Sequence, residues 1–222
     1  MRLGTLSGKP LCQVCYTLLL EYMFGFRACN SRYVFGYGSL IWNPGFPYLS
    51  SRKATVKGFI RRFWNKSADH RGTEVSNGLV VCLSDLSDMA VTHEKTEVVE
   101  GLLFEISHDI LPIVLEELDR REKYGYVRTT TTAFCPASDA IIGTCFVYTA
   151  CYDSSIDVFL KPQRGIVNTE DELQYICEVI SKSDGPSGKN IDYLLKLKES
   201  LDDLGFHDSH VNEVYRACLD LR

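Results

Sequence analysis

Six short runs of β-branched, aromatic and apolar residues, each closed off by glycine or polar residues, lie between Tyr33 and Ala150. They cover Tyr33–Tyr37, Ala54–Phe63, Gly78–Ser84, Glu97–Ile106, Val127–Phe134 and Ala140–Ala150. Runs of this length and punctuation read as strands. Helical spacing appears once among them, where Leu111, Val114, Leu115 and Leu118 mark a helix over Asp109–Arg121. It then takes over the C-terminal part. Thr169 and Glu172 form a capping box ahead of Leu173, Ile176, Cys177 and Ile180. Ile191, Leu194, Leu201 and Leu204 mark a third helix, and Val211, Val214, Tyr215 and Cys218 a short last one. Strands first and helices mostly last predict an α+β domain rather than repeated βαβ units. Six strands suit a small closed or half-open mixed β-barrel with flanking helices, which leaves no long exposed edge.

One main domain over 33–222 accounts for most of the 222 residues, and residues 1–32 read as an N-terminal extension. The net charge of −5 comes with no concentrated basic patch, which argues against a nucleic-acid partner. Arg61-Arg62, the longest basic cluster, looks like a strand end. No stretch approaches the ~20 apolar residues of a membrane-spanning helix, and Gln13, Thr17 and Glu21 spoil the 10–26 segment as a signal peptide. Nine cysteines, an odd number with several inside apolar runs, fit free thiols in a reducing compartment. The expectation is a cytoplasmic protein, monomer or weak dimer, with no membrane partner. Cys12-x-x-Cys15 lacks a second pair or a suitably spaced His, and His207 and His210 lack a third ligand, so no metal site is expected.

Four segments carry candidate chemistry. Gly36-Tyr37-Gly38-Ser39-Leu40 ends the first strand, and its glycines let successive N–H groups face one point, a nest for a carboxylate or an oxyanion. The same residues also fit a plain strand-ending turn. Glu122 stands at a helix C-terminus, where Arg120, Arg121 and Lys123 obey the rule that favours cations and Glu122 does not. Turned inward, it would have its pKa raised by desolvation and by the negative helix end, as a proton carrier requires. Turned outward, it is a solvated surface acid paired with an arginine. Arg61 to Gly72 has a polar half denser than a turn needs, in which Asp69, His70 and Arg71 either brace a loop or take part in chemistry. Gly185-Pro186-Ser187-Gly188-Lys189-Asn190 imitates a phosphate loop, but Ser183 and Asn190 break the pattern and a helix precedes it. The irregular stretch Cys151–Asn168 is long enough to line or cover a site.

Taken together and in order, these segments resemble the ChaC-type, glutathione-specific γ-glutamylcyclotransferases. The resemblance rests on Val34 to Trp42, Arg61 to Trp64 with Ser67 and Asp69–Gly72, and Val80-Val81. It continues through Arg121-Glu122-Lys123 with Gly125-Tyr126, then Gly185–Gly188 with Asn190, Tyr193 and Leu194. It spans about residues 33 to 204. It implies a small barrel with flanking helices and no cofactor. It also implies that Val34, Phe35, Gly36, Tyr37, Gly38, Ser39 and Leu40 hold the γ-glutamyl group, that Tyr126 and Tyr193 shape the pocket, and that Glu122 is the acid/base. The implied reaction splits glutathione into 5-oxoproline and Cys-Gly. Other γ-glutamyl amines as substrates, or a silent binding protein of the same fold, are the competing expectations. Leu79 and Tyr124 depart from the pattern, where a basic and a small residue are usual.

Overall fold

Gly58 decides the architecture. In the computed structural model it adopts φ +84, a conformation costly for any residue with a side chain, and divides one long apolar run into two strands. The single strand expected over Ala54–Phe63 is therefore β2 (Ser50–Lys57) and β3 (Phe59–Ser67), which belong to different sheets. The structure describes residues 31–85, 97–122, 125–152, 158–160 and 170–220. These lie in one compact unit, Ser31–Arg222. Ser31 and Arg32 already belong to it: Ser31 Oγ donates to Thr144 O at 2.5 Å, and Ile106 N–H to Arg32 O at 2.9 Å. The rest of the expected 1–32 extension and its Cys12/Cys15 pair lie outside the described residues, as do Thr169, Tyr124 and most of 151–168.

The barrel is closed by five strands, not six. β1 (Tyr33–Gly36) pairs antiparallel with β5 (Val98–Glu105), β5 with β2, β2 with β6 (Tyr126–Phe134) and β6 with β7 (Ile141–Ala150). A parallel pairing of β7 with β1 closes the ring. β3 and β4 (Gly78–Asp85) leave it as a separate antiparallel pair, with a register shift between Arg62 and Asn65. Arg61-Arg62 thus lies in the middle of β3, not at a strand end. Arg61 is 1% exposed and survives there because Nη1 meets Asp208 Oδ2 at 2.7 Å while Nη2 donates to Glu100 O. A cation buried without such partners would cost several kcal/mol, on the order of the penalty for an unpaired internal charge.

Helix α1 (Leu111–Arg121) lays Val114 and Leu118 into a small core with Val34, Leu40, Phe46 and Phe104. A larger core surrounds Phe63 and Trp64 of β3. Helices α2 (Glu170–Lys182) and α3 (Asn190–Asp203) pack on β4, and α4 (Ser209–Asp220) packs on β3 and α2. Most residues of the expected stripes are buried: Ile176, Cys177 and Ile180; Ile191, Leu194 and Leu201; Val211, Val214 and Cys218. Leu173, Leu204 and Tyr215 are only partly so, and Asn190, Tyr193, Leu197 and His210 are buried outside the stripes. Each large apolar side chain sealed this way contributes roughly 1.5–3 kcal/mol. Asp208 caps α4 by accepting from Val211 N–H at 2.9 Å, and His210 Nε2 accepts from Phe63 N–H at 3.1 Å. His210 thus fastens α4 to β3, while His207 N–H donates to Glu100 Oε2 of β5 at 3.0 Å. Among the described residues no helix is long and apolar enough to cross a membrane.

Candidate active site

β1 ends at Gly36 and the chain curls at once into a 3₁₀ turn, Ser39–Ile41. Ile41 N–H reaches Gly38 O at 3.0 Å, and Asn43 N–H reaches Ser39 O at 2.9 Å. The curl leaves no room for a side chain at Gly36, and the facing Tyr193 and Val81 leave little at Gly38. A Cβ on Gly36 would sit 2.8 Å from Leu40 Cβ, and one on Gly38 would sit 3.1 Å from the Tyr193 hydroxyl. Sterics therefore favour the turn that the spacing suggested, and bring Tyr37 to Leu40 against α3.

A cavity of about 300 Å³ opens beside this turn. Phe35, Tyr37, Gly38, Ser39 and Leu40 line it, together with Glu122, Tyr126 and Tyr193. Two of the expected substrate-binding residues are placed elsewhere. Val34 is sealed in the α1 core because strand side chains alternate, and Gly36 presses its carbonyl toward Gly101.

Glu122 is the residue at which α1 stops, its N–H bonded to Leu118 O at 2.8 Å and Gly125 turning away just after with φ +82. Its side chain is 20% exposed and faces the cavity. The inward and the arginine-paired readings are both partly realised, since Arg121 Nε lies 3.4 Å from Glu122 Oε1. Burial pushes the Glu122 carboxyl above its ordinary range, Arg121 pulls it back, and the charge of Asp69 adds to the rise; the balance is upward. Arg121 does more than sit at a helix end. Its Nη2 donates to Ser39 Oγ at 2.6 Å, and Nη1 reaches Asn43 O and Pro44 O at 3.3 Å each. One guanidinium thereby ties the acid to the turn.

Three tyrosines surround the acid. Burial, foremost, raises the hydroxyl pKa of Tyr37, Tyr126 and Tyr193, and Glu122 contributes to each. They stay neutral, and two of them donate: Tyr37 Oη to Tyr148 O at 2.8 Å, and Tyr126 Oη to Val81 O at 3.0 Å. Tyr193 lies on α3, which starts at the buried Asn190, and its ring meets those of Trp42 and Phe63 edge-on. Asn190 Oδ1 accepts from Leu79 N–H at 2.6 Å and its Nδ2 donates to Leu79 O at 2.8 Å, as a neighbouring strand would. The apolar Leu79 is buried in the core cluster at that point.

The end of β3 and the polar segment after it add Asn65, Lys66, Ser67, Asp69, His70 and Arg71 to the lining. The phosphate-loop imitation beside it is a hairpin, β8 (Asp184–Gly185) and β9 (Gly188–Lys189), clamped on this segment. Ser187 N–H donates to His70 O at 2.9 Å, and Ser187 Oγ lies 3.1 Å from His70 Nδ1. The described part of the 151–168 stretch runs along β3: Lys66 N–H donates to Val158 O at 2.8 Å and Leu160 N–H to Trp64 O at 2.7 Å. Sequence reasoning passed over Trp42 and Tyr148 in the lining, and the bracing role of Arg121. Only the arginine carried a signal, as the immediate neighbour of an acid that breaks the helix-end charge rule.

A family model described as ChaC-like protein matches residues 32–219. The chain belongs to that family. As a ChaC-like protein it is 36% identical over 195 residues to a glutathione-specific γ-glutamylcyclotransferase of Schizosaccharomyces pombe, covering 83% of this chain and 91% of the relative. It is 34% identical over 191 residues to γ-glutamylcyclotransferase 2-3 of Arabidopsis thaliana, with 82% and 85% covered. A crystal structure of a glutathione-specific γ-glutamyl cyclotransferase from yeast superposes with a TM-score of 0.74 at 25% identity, covering 86% of this chain and 96% of the other. The ChaC-like barrel with its flanking helices is thus common to both structures.

Proposed function

We propose that this chain is a γ-glutamylcyclotransferase that converts glutathione to 5-oxoproline and Cys-Gly, with Glu122 as the proton carrier. The observation that carries the reading is a carboxyl of raised proton affinity, lodged in a cavity beside the Tyr37–Leu40 turn and tied to that turn by Arg121. The activity of the named relatives supports it.

The chemistry follows from the substrate. The α-amine of a γ-glutamyl group lies a few atoms from its own γ-carbonyl, so attack is intramolecular. Fixing that geometry can supply on the order of 7–11 kcal/mol when alignment is ideal. An ammonium has no lone pair to attack with. Glu122 takes its proton, the freed nitrogen adds to the γ-carbon, and the carbonyl oxygen becomes an oxyanion facing the turn. N–H groups of Tyr37 to Leu40 are the available donors to that charge. Collapse of the intermediate breaks the amide bond to cysteine as Glu122 returns its proton to the departing nitrogen. The ring nitrogen still carries a second proton after it adds. The regenerated Glu122 carboxylate takes it and passes it to the departing amine, so Cys-Gly leaves as an ammonium and the carboxyl ends as it began.

Incubation of the purified protein with glutathione, followed by mass detection of products, tests this directly. Equal amounts of 5-oxoproline and Cys-Gly are expected. Failure to release either from glutathione removes the assignment, and release of 5-oxoproline only from other γ-glutamyl amines shifts the substrate.

A further inference from the structure

The charge of the cavity differs in sign from that of the molecule. The chain carries −5 overall. Yet Lys66, Arg71 and Arg121 line the cavity against Asp69 and Glu122, one positive charge in formal excess with histidine left out of the count. A tripeptide with a γ-glutamyl head brings the complement, one ammonium and two carboxylates. Glu122 and Asp69 suit the ammonium. The first carboxylate sits on the carbon that bears the attacking nitrogen, so it is confined near the Tyr37–Leu40 turn whenever that nitrogen is placed for attack. The second ends the chain two residues beyond the bond that breaks, roughly 7 Å away when extended. It needs a cation of its own.

Arg121 is already committed, to Ser39, Asn43, Pro44 and Glu122. Arg71 is placed differently. Its N–H donates to Ser67 Oγ at 3.0 Å, its Nη1 to Lys189 O at 3.1 Å, and its guanidinium lies 5.8 Å from the centre of the Tyr193 ring. The hairpin behind it leaves no slack, since a Cβ on Gly185 would come within 2.4 Å of His70 O. Among the described residues neither Nη2 nor Nε of Arg71 has a hydrogen-bond partner. The result is a planar fork, held by backbone and stacking, with donors to spare at the rim of the cavity. Such a fork suits a carboxylate, and holding it beforehand reduces the entropy lost on binding.

We infer that Arg71 is a specificity residue that receives the C-terminal carboxylate of the departing dipeptide, so that the site selects γ-glutamyl peptides ending in a free carboxylate. This rests on the cyclotransferase reading above and adds to it the feature of the leaving group that is recognised.

The test compares glutathione with its C-terminal carboxamide, using 5-oxoproline release by the wild type, Arg71→Met and Arg71→Lys. The methionine keeps a stem over the Tyr193 ring and removes the fork. The wild type is expected to favour the acid over the amide by roughly tenfold or more in kcat/KM, the scale of one charge-assisted hydrogen bond. Arg71→Met brings that ratio toward unity, chiefly through a higher KM for the acid, and Arg71→Lys restores part of it. An equal loss on both peptides overturns the inference, because the arginine then serves the loop or the other carboxylate. A wild type that turns over both peptides equally also overturns it while leaving the reaction intact, and that comparison needs no variant to fold. Release from neither peptide removes the inference together with the reaction.

Discussion

Two buried acids lie at opposite extremes of how this molecule treats charge. Asp208 is 16% exposed and Glu122 is 20% exposed, so they are hidden to a similar degree. Burial pushes the Asp208 carboxyl up, but the Arg61 guanidinium at 2.7 Å, the Val211 amide and His210 outweigh it, and its proton affinity ends below the usual carboxylate range. At Glu122 burial prevails over an Arg121 that is shared among several acceptors, and Asp69 works in the same direction. Concealment is nearly equal, and the outcome is set by partners. Where the partners are generous the acid fastens α4 to β3. Where they are divided the acid keeps an appetite for protons and faces a cavity.

The comparison can be broken most severely at Glu122. Glu122→Gln keeps shape and loses the proton, and is expected to lower 5-oxoproline release by at least about a hundredfold, within the usual span for general acid–base groups. Stopped assays with mass detection would read this. Asp208→Ala should do the reverse, leaving turnover per folded molecule unchanged while removing about 3–5 kcal/mol of stability, the cost of stranding a buried Arg61. Urea unfolding at neutral pH is the measurement. A stable Asp208→Ala protein with impaired turnover would erase the distinction between the two acids.

Smaller effects sharpen the contrast. Asp69→Asn removes the negative neighbour of Glu122, so the acidic limb of kcat/KM against pH should move to lower pH. A brace-only role for Asp69 would leave the limb in place. Stability should also depend on pH with opposite signs at the two sites. Glu122 binds its proton more tightly folded than unfolded, so its contribution is full below the unfolded carboxylate pKa and fades as pH rises through the folded value. Glu122→Gln should therefore gain in melting temperature relative to the wild type as pH rises. His210, which burial, foremost, lowers to about 3, gives stability present above its unfolded value near 6.5 and lost as pH falls toward the folded one. Melting temperatures from pH 8 to pH 4 would separate the two slopes, the smallest of these effects.

Much of this was readable in the order of residues, and the failures have physical causes. The stripes of α1, α3 and α4 were legible because burial at i, i+3 and i+4 leaves a periodic trace. The break at Gly58 was not. A glycine inside an apolar run is as compatible with a continuous strand as with a switch between sheets, and only the φ of +84 decides. The turn from Gly36 to Leu40 and the acid at Glu122 stood out because each violates a local rule. The lining given by Trp42 and Tyr148, and the interior position of Arg61, did not, because each depends on contacts with residues tens of positions away. Long-range partnership leaves no mark on local spacing.

The grip of Arg121 has one more consequence. Ring closure tolerates little drift between the group that lifts the proton and the groups that greet the new oxyanion. In the proposed reaction both are joined through a single side chain, which bonds Ser39 Oγ and lies 3.4 Å from the Glu122 carboxyl, so thermal wandering of the helix would carry anion cradle and base in unison. Their registry can survive motions that would separate two independently mounted parts, and a barrel this small keeps its aim without having to be stiff throughout.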